Sequence, residues 1–163
     1  MAYRVKDEIE ISIRINDKEY PLSNVNTLNY LHMAASTKFL LPTLCFSVVD
    51  VTKSMAEMGL TDASKIQVIV SCDGVVTSRN FRVHSWSHPP GQDVYVIDAF
   101  WDAPKYRVGT TDKSTLGTSN SVLAAIAATC GLDYDGCTTL DTQRWYPRNK
   151  TYADFATYVA AHG

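Results

Sequence analysis

Ile9, Ile11, Ile13 and Ile15 alternate with Glu10, Ser12 and Arg14. That period-two pattern predicts a strand with one face on a core and the other in water. Asn16-Asp17 follows, a pair that tolerates positive φ and so predicts a tight hairpin turn. Lys18 to Leu22 returns as a second strand, and Pro21 confines it to an edge or ends it. Ser23 to Lys38 has no clear period. Leu28, Leu31 and Met33-Ala34-Ala35 fit a short helix, and the stretch fits equally a long connection or an arm lying on a neighbour.

Alternation returns after Pro42, where Leu44, Phe46 and Val48 interleave with Cys45, Ser47 and Val49 to predict a strand apolar on both faces. Thr52 to Gly59 predicts a helical turn or short helix ended by Gly59. Lys65–Ser71 and Asn80–Trp86 are β-rich runs on either side of Asp73-Gly74, a hairpin signal, although Val75-Val76 leaves the loop length open. After a His88-Pro89-Pro90-Gly91 loop, Asp93–Trp101 is a further strand, dense in aromatics.

Pro104 and the polar run Gly109–Gly117 mark a composition shift. Beyond it, Thr118 or Ser119 can cap a helix whose Val122, Leu123, Ile126 and Ala127 form one apolar stripe, with Gly131 supplying a left-handed end. Thr151 with Asp154 is a variant capping box opening a second helix lined by Tyr152, Phe155, Ala156 and Val159. Thr138 to Trp145 is expected to be extended. The fold class that follows is α+β, mainly β: a β-barrel or sandwich, then a small subdomain with two short helices. The expected division is residues 1–108 for the β domain and 109–163 for the α-rich subdomain packed on it.

Composition narrows the function classes. With 163 residues, 45% hydrophobic and 20% charged, the chain has ordinary globular values and enough length to bury a sizeable core. A net charge of −2 gives no electrostatic footprint for nucleic acid or an anionic membrane. No apolar run reaches the ~20 residues of a membrane helix, so no membrane insertion is expected. The opening MAYRVKDEIEIS places charges where a signal peptide needs an apolar core, so no export signal is expected. Cys45, Cys72, Cys130 and Cys137 show no zinc or thioredoxin-type spacing, and reduced thiols are expected. A bridge between Cys130 and Cys137 would span a short loop.

Candidate chemistry is sparse. His84 and His88 have a metal-like spacing, but one lies in a predicted strand and the other before Pro-Pro, with no third ligand nearby. Asp133-x-Asp135-Gly136 is a fragment of a calcium loop without its closing glutamate, and reads better as a turn. Gly117-Thr118-Ser119 could hold an anion at a helix start, but without a Lys or a full glycine loop simple capping explains it. Asp98 and Asp102 flank Phe100 and Trp101 and are the best carboxylate pair for glycoside chemistry. No G-x-S-x-G elbow is present, and Cys45 and Cys72 sit in or beside apolar strands where a thiol is packing. No catalytic residue, cofactor site or metal site is assigned. Trp86, Trp101, Tyr106, Trp145 and Tyr146 are the candidate interface residues, because aromatics offer large contact area at low entropy cost.

Four segments carry a family resemblance: TDASKIQV (61–68), GTSNSVLAAIAATCGL (117–132), TLDTQRW (139–145) and NKTYADFATYVAAHG (149–163). In that order they resemble baseplate hub proteins of bacteriophage tails and the related spike hubs of type VI secretion. The resemblance implies a tail-tube-like barrel over residues 1–108 and a structural virion protein with no catalytic residues or cofactor. It would form part of a hub ring that continues the tail tube and seats the central spike. Its partners would be the tail tube, the spike and further hub subunits in a homo-oligomeric trimer or hexamer. DNA would pass through the lumen without specific binding, and the protein would reside in the virion after synthesis in the host cytoplasm. Family hubs usually continue into a second tube-like barrel after the second helix, so a shortened or split form is expected. The alternatives are a tail-associated cell-wall-degrading enzyme and a monomeric carbohydrate- or peptide-binding module using Trp86, Trp101 or Trp145.

Overall fold

The computed structural model describes residues 9–35, 40–136 and 138–163. The chain is mainly β, with 41% strand against 22% helix. It divides into two compact units, Met1–Ala34 with Leu41–Asp102, and Ala35–Leu40 with Ala103–Gly163. The division after Asp102 falls a few residues before the composition shift at 108/109.

The first unit is built on strands β1 (Ile9–Ile15), β2 (Lys18–Glu19), β3 (Leu28–Ala34), β4 (Thr43–Val49), β5 (Lys65–Cys72), β6 (Val75–Ser87) and β7 (Val94–Trp101), with helix α1 (Ser54–Met58). They form a single curled antiparallel sheet in the order β2-β1-β5-β6-β7-β4-β3. It is a half-barrel with two edges, not a closed barrel or a sandwich. Two turns set its hairpins. Asn16 and Asp17 both hold positive φ (49° and 67°), as do Asp73 and Gly74 (50° and 78°). A turn with both central residues at positive φ matches the natural twist of the flanking strands. The second turn is a two-residue loop, so Val75 and Val76 belong to β6, directly paired with Cys72 and Ser71.

The thirteen-residue β6 joins two staggered halves. Its first half pairs with β5, from Val75 to Arg82, and its second half with β7, from Phe81 to Ser87. One face of the sheet is the core, where Ile13, Ile15, Leu44, Phe46, Val48, Ile66, Val68, Phe81, Val83, Ile97 and Ala99 are buried. Met55 and Met58 of α1 and Tyr20 cover it. Asp50, itself fully buried, holds α1 in place. Its carboxylate accepts the N–H groups of Ser54 and Met55, both at 2.9 Å, and the Tyr20 hydroxyl at 3.2 Å.

The helix expected within 23–38 does not form over the described residues: Leu28–Ala34 is the edge strand β3. A bulge between Leu28 and Tyr30 explains the misleading pattern. The extra residue lets Leu28, Leu31 and Met33 share the face opposite Val48, Phe46 and Leu44, and turns a period of two into a helix-like spacing of three. Residues 36–38 of that stretch lie outside the described residues.

The second unit contains α2 (Pro104–Val108), β8 (Thr110–Thr111), β9 (Thr115–Gly117), α3 (Ser119–Cys130), β10 (Gln143–Trp145), β11 (Lys150–Thr151) and α4 (Tyr152–His162). Helix α2 was not expected from the pattern; Pro104 opens it at a position where its missing N–H costs nothing. Thr118 caps α3 by accepting the Ser121 N–H, and Gly131 ends it at φ 70°. Thr151 caps α4 by accepting the Asp154 N–H, while its own hydroxyl donates to the Asp154 carboxylate at 2.8 Å. Val122, Ile126 and Ala127 of α3 and Phe155, Ala156 and Val159 of α4 are buried. The extended segment is strand only over β10, which pairs with β9, while β11 pairs with β8.

Candidate functional site

The face of the sheet opposite the core carries the first unit's polar chemistry. Register places His32, Cys45, Asp98 and Ser85 side by side on β3, β4, β7 and β6. The Cys45 thiol lies 3.8 Å from the Tyr30 hydroxyl. Burial, and then a hydrogen bond with Asp98, push the Cys45 thiol above its ordinary value. It is therefore a protonated thiol at neutral pH and a poor nucleophile. The Tyr30 hydroxyl is raised as well, first by its contact with Cys45.

His84 and His88 do not converge. His84 lies at the bulge between Val83 and Ser85 and packs on the Phe100 ring at 4.7 Å. His88 stacks on Tyr95 at 4.3 Å and 4°, with Nε2 2.6 Å from the Gln92 carbonyl oxygen. Trp86 stacks on Tyr95 at 6.1 Å, so the three rings form an aromatic rim. Beside it, Lys53 pairs with Asp93. Among the described residues, no three His, Cys, Asp or Glu side chains are placed to hold a metal ion. Asp98 and Asp102 have separate surroundings. Asp98 sits opposite Cys45, whereas Asp102 accepts the Arg82 Nε–H at 2.9 Å.

In the second unit, the helix start at Gly117-Thr118-Ser119, which capping was expected to explain, is occupied from within. Asp141 accepts the Ser119 N–H and the Ser119 hydroxyl, each at 3.0 Å. The Thr139 hydroxyl lies 3.1 Å from the Ser119 hydroxyl and accepts the Asn120 N–H at 3.3 Å. The aspartate supplies the charge that a helix N-terminus favours. The Asp133 and Asp135 loop shows no strand or helix, and Cys137 lies outside the described residues.

The five candidate interface aromatics differ in what they offer a neighbour. Trp145 is 2% exposed and Tyr106 5%, so both are core residues of the second unit. Trp145 donates its Nε1–H to the Gly117 carbonyl at 2.9 Å, tying β10 to β9. Trp101 is half-buried, edge-on to Phe81 at 5.8 Å and beneath the Arg79 guanidinium at 5.7 Å. Trp86, 39% exposed, and Tyr146, 56% exposed, present real surface. Sequence reasoning placed the Lys18 strand at an edge through Pro21, but missed the open β3 edge at the other end of the sheet. The signal for that edge was the absence of charge through Leu28–Ala34.

No protein-family model matches this chain, and no curated protein shows significant similarity to it. No helix among the described residues is long and apolar enough to cross a membrane.

Proposed function

We propose that this chain is a structural subunit of a bacteriophage tail or baseplate, a tail-tube-like half-barrel with a helical unit. In this reading it forms part of the hub ring that continues the tail tube and seats the central spike. The observation that carries the reading is the open sheet. Its edge residues Ile9, Tyr30 and Met33, and Val75 and Val76 at its hairpin tip, are exposed, the kind of surface that neighbouring subunits cover. The capped helices of 117–132 and 151–163, which carry the family resemblance, support it. The mechanism is assembly, in which buried area and strand pairing give affinity and shape gives specificity. Partners are further hub subunits, the tube and the spike, with DNA passing the lumen without specific contacts, and the location is the virion.

Light scattering of the purified chain with negative-stain imaging tests this directly. Rings of three or six copies are expected. A protein that stays monomeric at high concentration and never joins tail-like particles sinks the proposal. One feature favours a second reading, a carbohydrate-binding module: the exposed Trp86–Tyr95–His88 rim. Quenching of Trp86 fluorescence by a glycan panel, lost in Trp86→Ala, would favour that reading over assembly.

A further inference from the structure

The two ends of the sheet are treated differently by the sequence. Edge strands are commonly blunted by charge, proline or shortness, because unpaired N–H and C=O groups invite a further strand. At one end β2 has only two residues, Lys18 and Glu19, and covers only Arg14 and Ile15 of β1. The Tyr20 N–H takes the Ile13 carbonyl, which leaves Ile9–Ser12 with β5 as its sole strand partner among the described residues. At the other end β3 runs seven residues, contains no Asp, Glu, Lys, Arg or Pro, and pairs only with β4 among the described residues.

These edges are complementary in direction and in side chains. From β1 through β5, β6, β7 and β4 to β3 there are five pairings, all antiparallel, so β1 and β3 run in opposite directions. A β3 strand laid beside β1 of a like-oriented copy therefore continues the antiparallel pattern. On the core face, Leu31 and Met33 of β3 would meet Ile9 and Ile11 of β1. Ile9 is 62% exposed and Met33 40% exposed, so both have apolar area to bury. On the opposite face Glu10, the one charge in the free β1 stretch, would meet Tyr30 and His32 and no like charge.

We infer that β3 of one copy adds head to tail to the free Ile9–Ser12 edge of β1 in a second copy, so that one antiparallel sheet passes through successive subunits. This rests on the ring-forming reading and names its joint.

Two full-length variants test it, Ile9→Lys and Met33→Lys, each placing a lysine at an exposed edge position that the monomer fold tolerates. Circular dichroism and melting confirm that each folds. Wild type is expected to form rings, and each variant alone to remain monomeric. An equimolar mixture is expected to form a one-to-one dimer and nothing larger, because one intact β1 edge and one intact β3 edge remain. Rings that survive Ile9→Lys, or a mixture that yields no dimer, overturn the joint while leaving the ring reading standing. The first result would point to β3 pairing with its own copy or with another protein. Wild-type protein that never assembles fails the ring reading itself, and the joint with it.

Discussion

Asp141 accepts the backbone N–H of Ser119 at 3.0 Å, so helix α3 is held at its N-terminus by a carboxylate far along the chain. Thr118 satisfies the Ser121 N–H locally, Asp141 satisfies the Ser119 N–H, and the Thr139 hydroxyl accepts the intervening Asn120 N–H. Between them they tether the 138–142 segment to the helix.

Asp141→Ala is expected to lower the melting temperature of the second unit at neutral pH. Hydrogen bonds from Thr139, and then from the Ser119 hydroxyl and N–H, hold the Asp141 carboxyl below the usual carboxylate value despite some desolvation. A folded-state value below the unfolded one gives stabilisation that is complete above the unfolded value and is lost as pH falls through the folded one. The gap between wild type and Asp141→Ala should therefore close as the medium is taken well below pH ~4. A gap that stays constant down to pH ~2 contradicts the assignment.

In the first unit, Asp50→Ala leaves the Ser54 and Met55 N–H groups short of an acceptor, while the Tyr20 hydroxyl keeps the Val49 carbonyl at 3.0 Å. Each unmet buried donor costs about 1–3 kcal/mol. For the two donors together, a loss of about 2 kcal/mol or more is expected from urea unfolding. A loss below about 1 kcal/mol would mean that α1 does not depend on this cap.

Trp145 separates packing from hydrogen bonding. Trp145→Phe keeps a ring but strips the Gly117 carbonyl of its donor, an expected cost of about 1–3 kcal/mol. Trp145→Ala removes a nearly fully buried side chain and should cost about 3–5 kcal/mol. Equal losses in the two variants would show that the hydrogen bond, not the packing, dominates.

Tyr106 offers the opposite sign. Its hydroxyl is buried without a hydrogen-bond partner among the described residues, and burial pushes it up to about 12. Tyr106→Phe should leave stability unchanged or raise it by about 1 kcal/mol at neutral pH. Because the folded value lies above the unfolded one near ~10, the wild type loses stability as pH rises from about 10 toward the folded value, and the phenylalanine variant does not. A Tyr106→Phe variant destabilised by more than about 1 kcal/mol at pH 7 would reveal a partner for that hydroxyl.

Local patterns carried far in this chain. The alternation of Ile9 to Ile15 located β1, and Asn16-Asp17 and Asp73-Gly74 located the two positive-φ turns. Thr118, Gly131 and Thr151 marked helix ends where they occur. Each of these is a property of neighbouring residues: side-chain periodicity, left-handed backbone tolerance, or a hydroxyl within reach of the next turn's N–H. Where a device depended on distant residues, the sequence was silent. Asp141 as a second cap for α3 could not be read, since nothing in its neighbourhood points to a helix twenty-two positions earlier.

The sequence by itself determined strand β1, the two positive-φ turns and the capped ends of α3 and α4, because those choices are settled by interactions a few residues apart. Tertiary structure alone decided that Leu28–Ala34 is a strand, since its bulge is defined only against Ser47 and Val48 of β4. It alone put Trp145 inside and left Trp86 at the rim, because burial depends on which elements pack together. And it alone left β1 and β3 as open edges of one sheet, because strand order is a long-range choice made by core packing and hydrogen bonding.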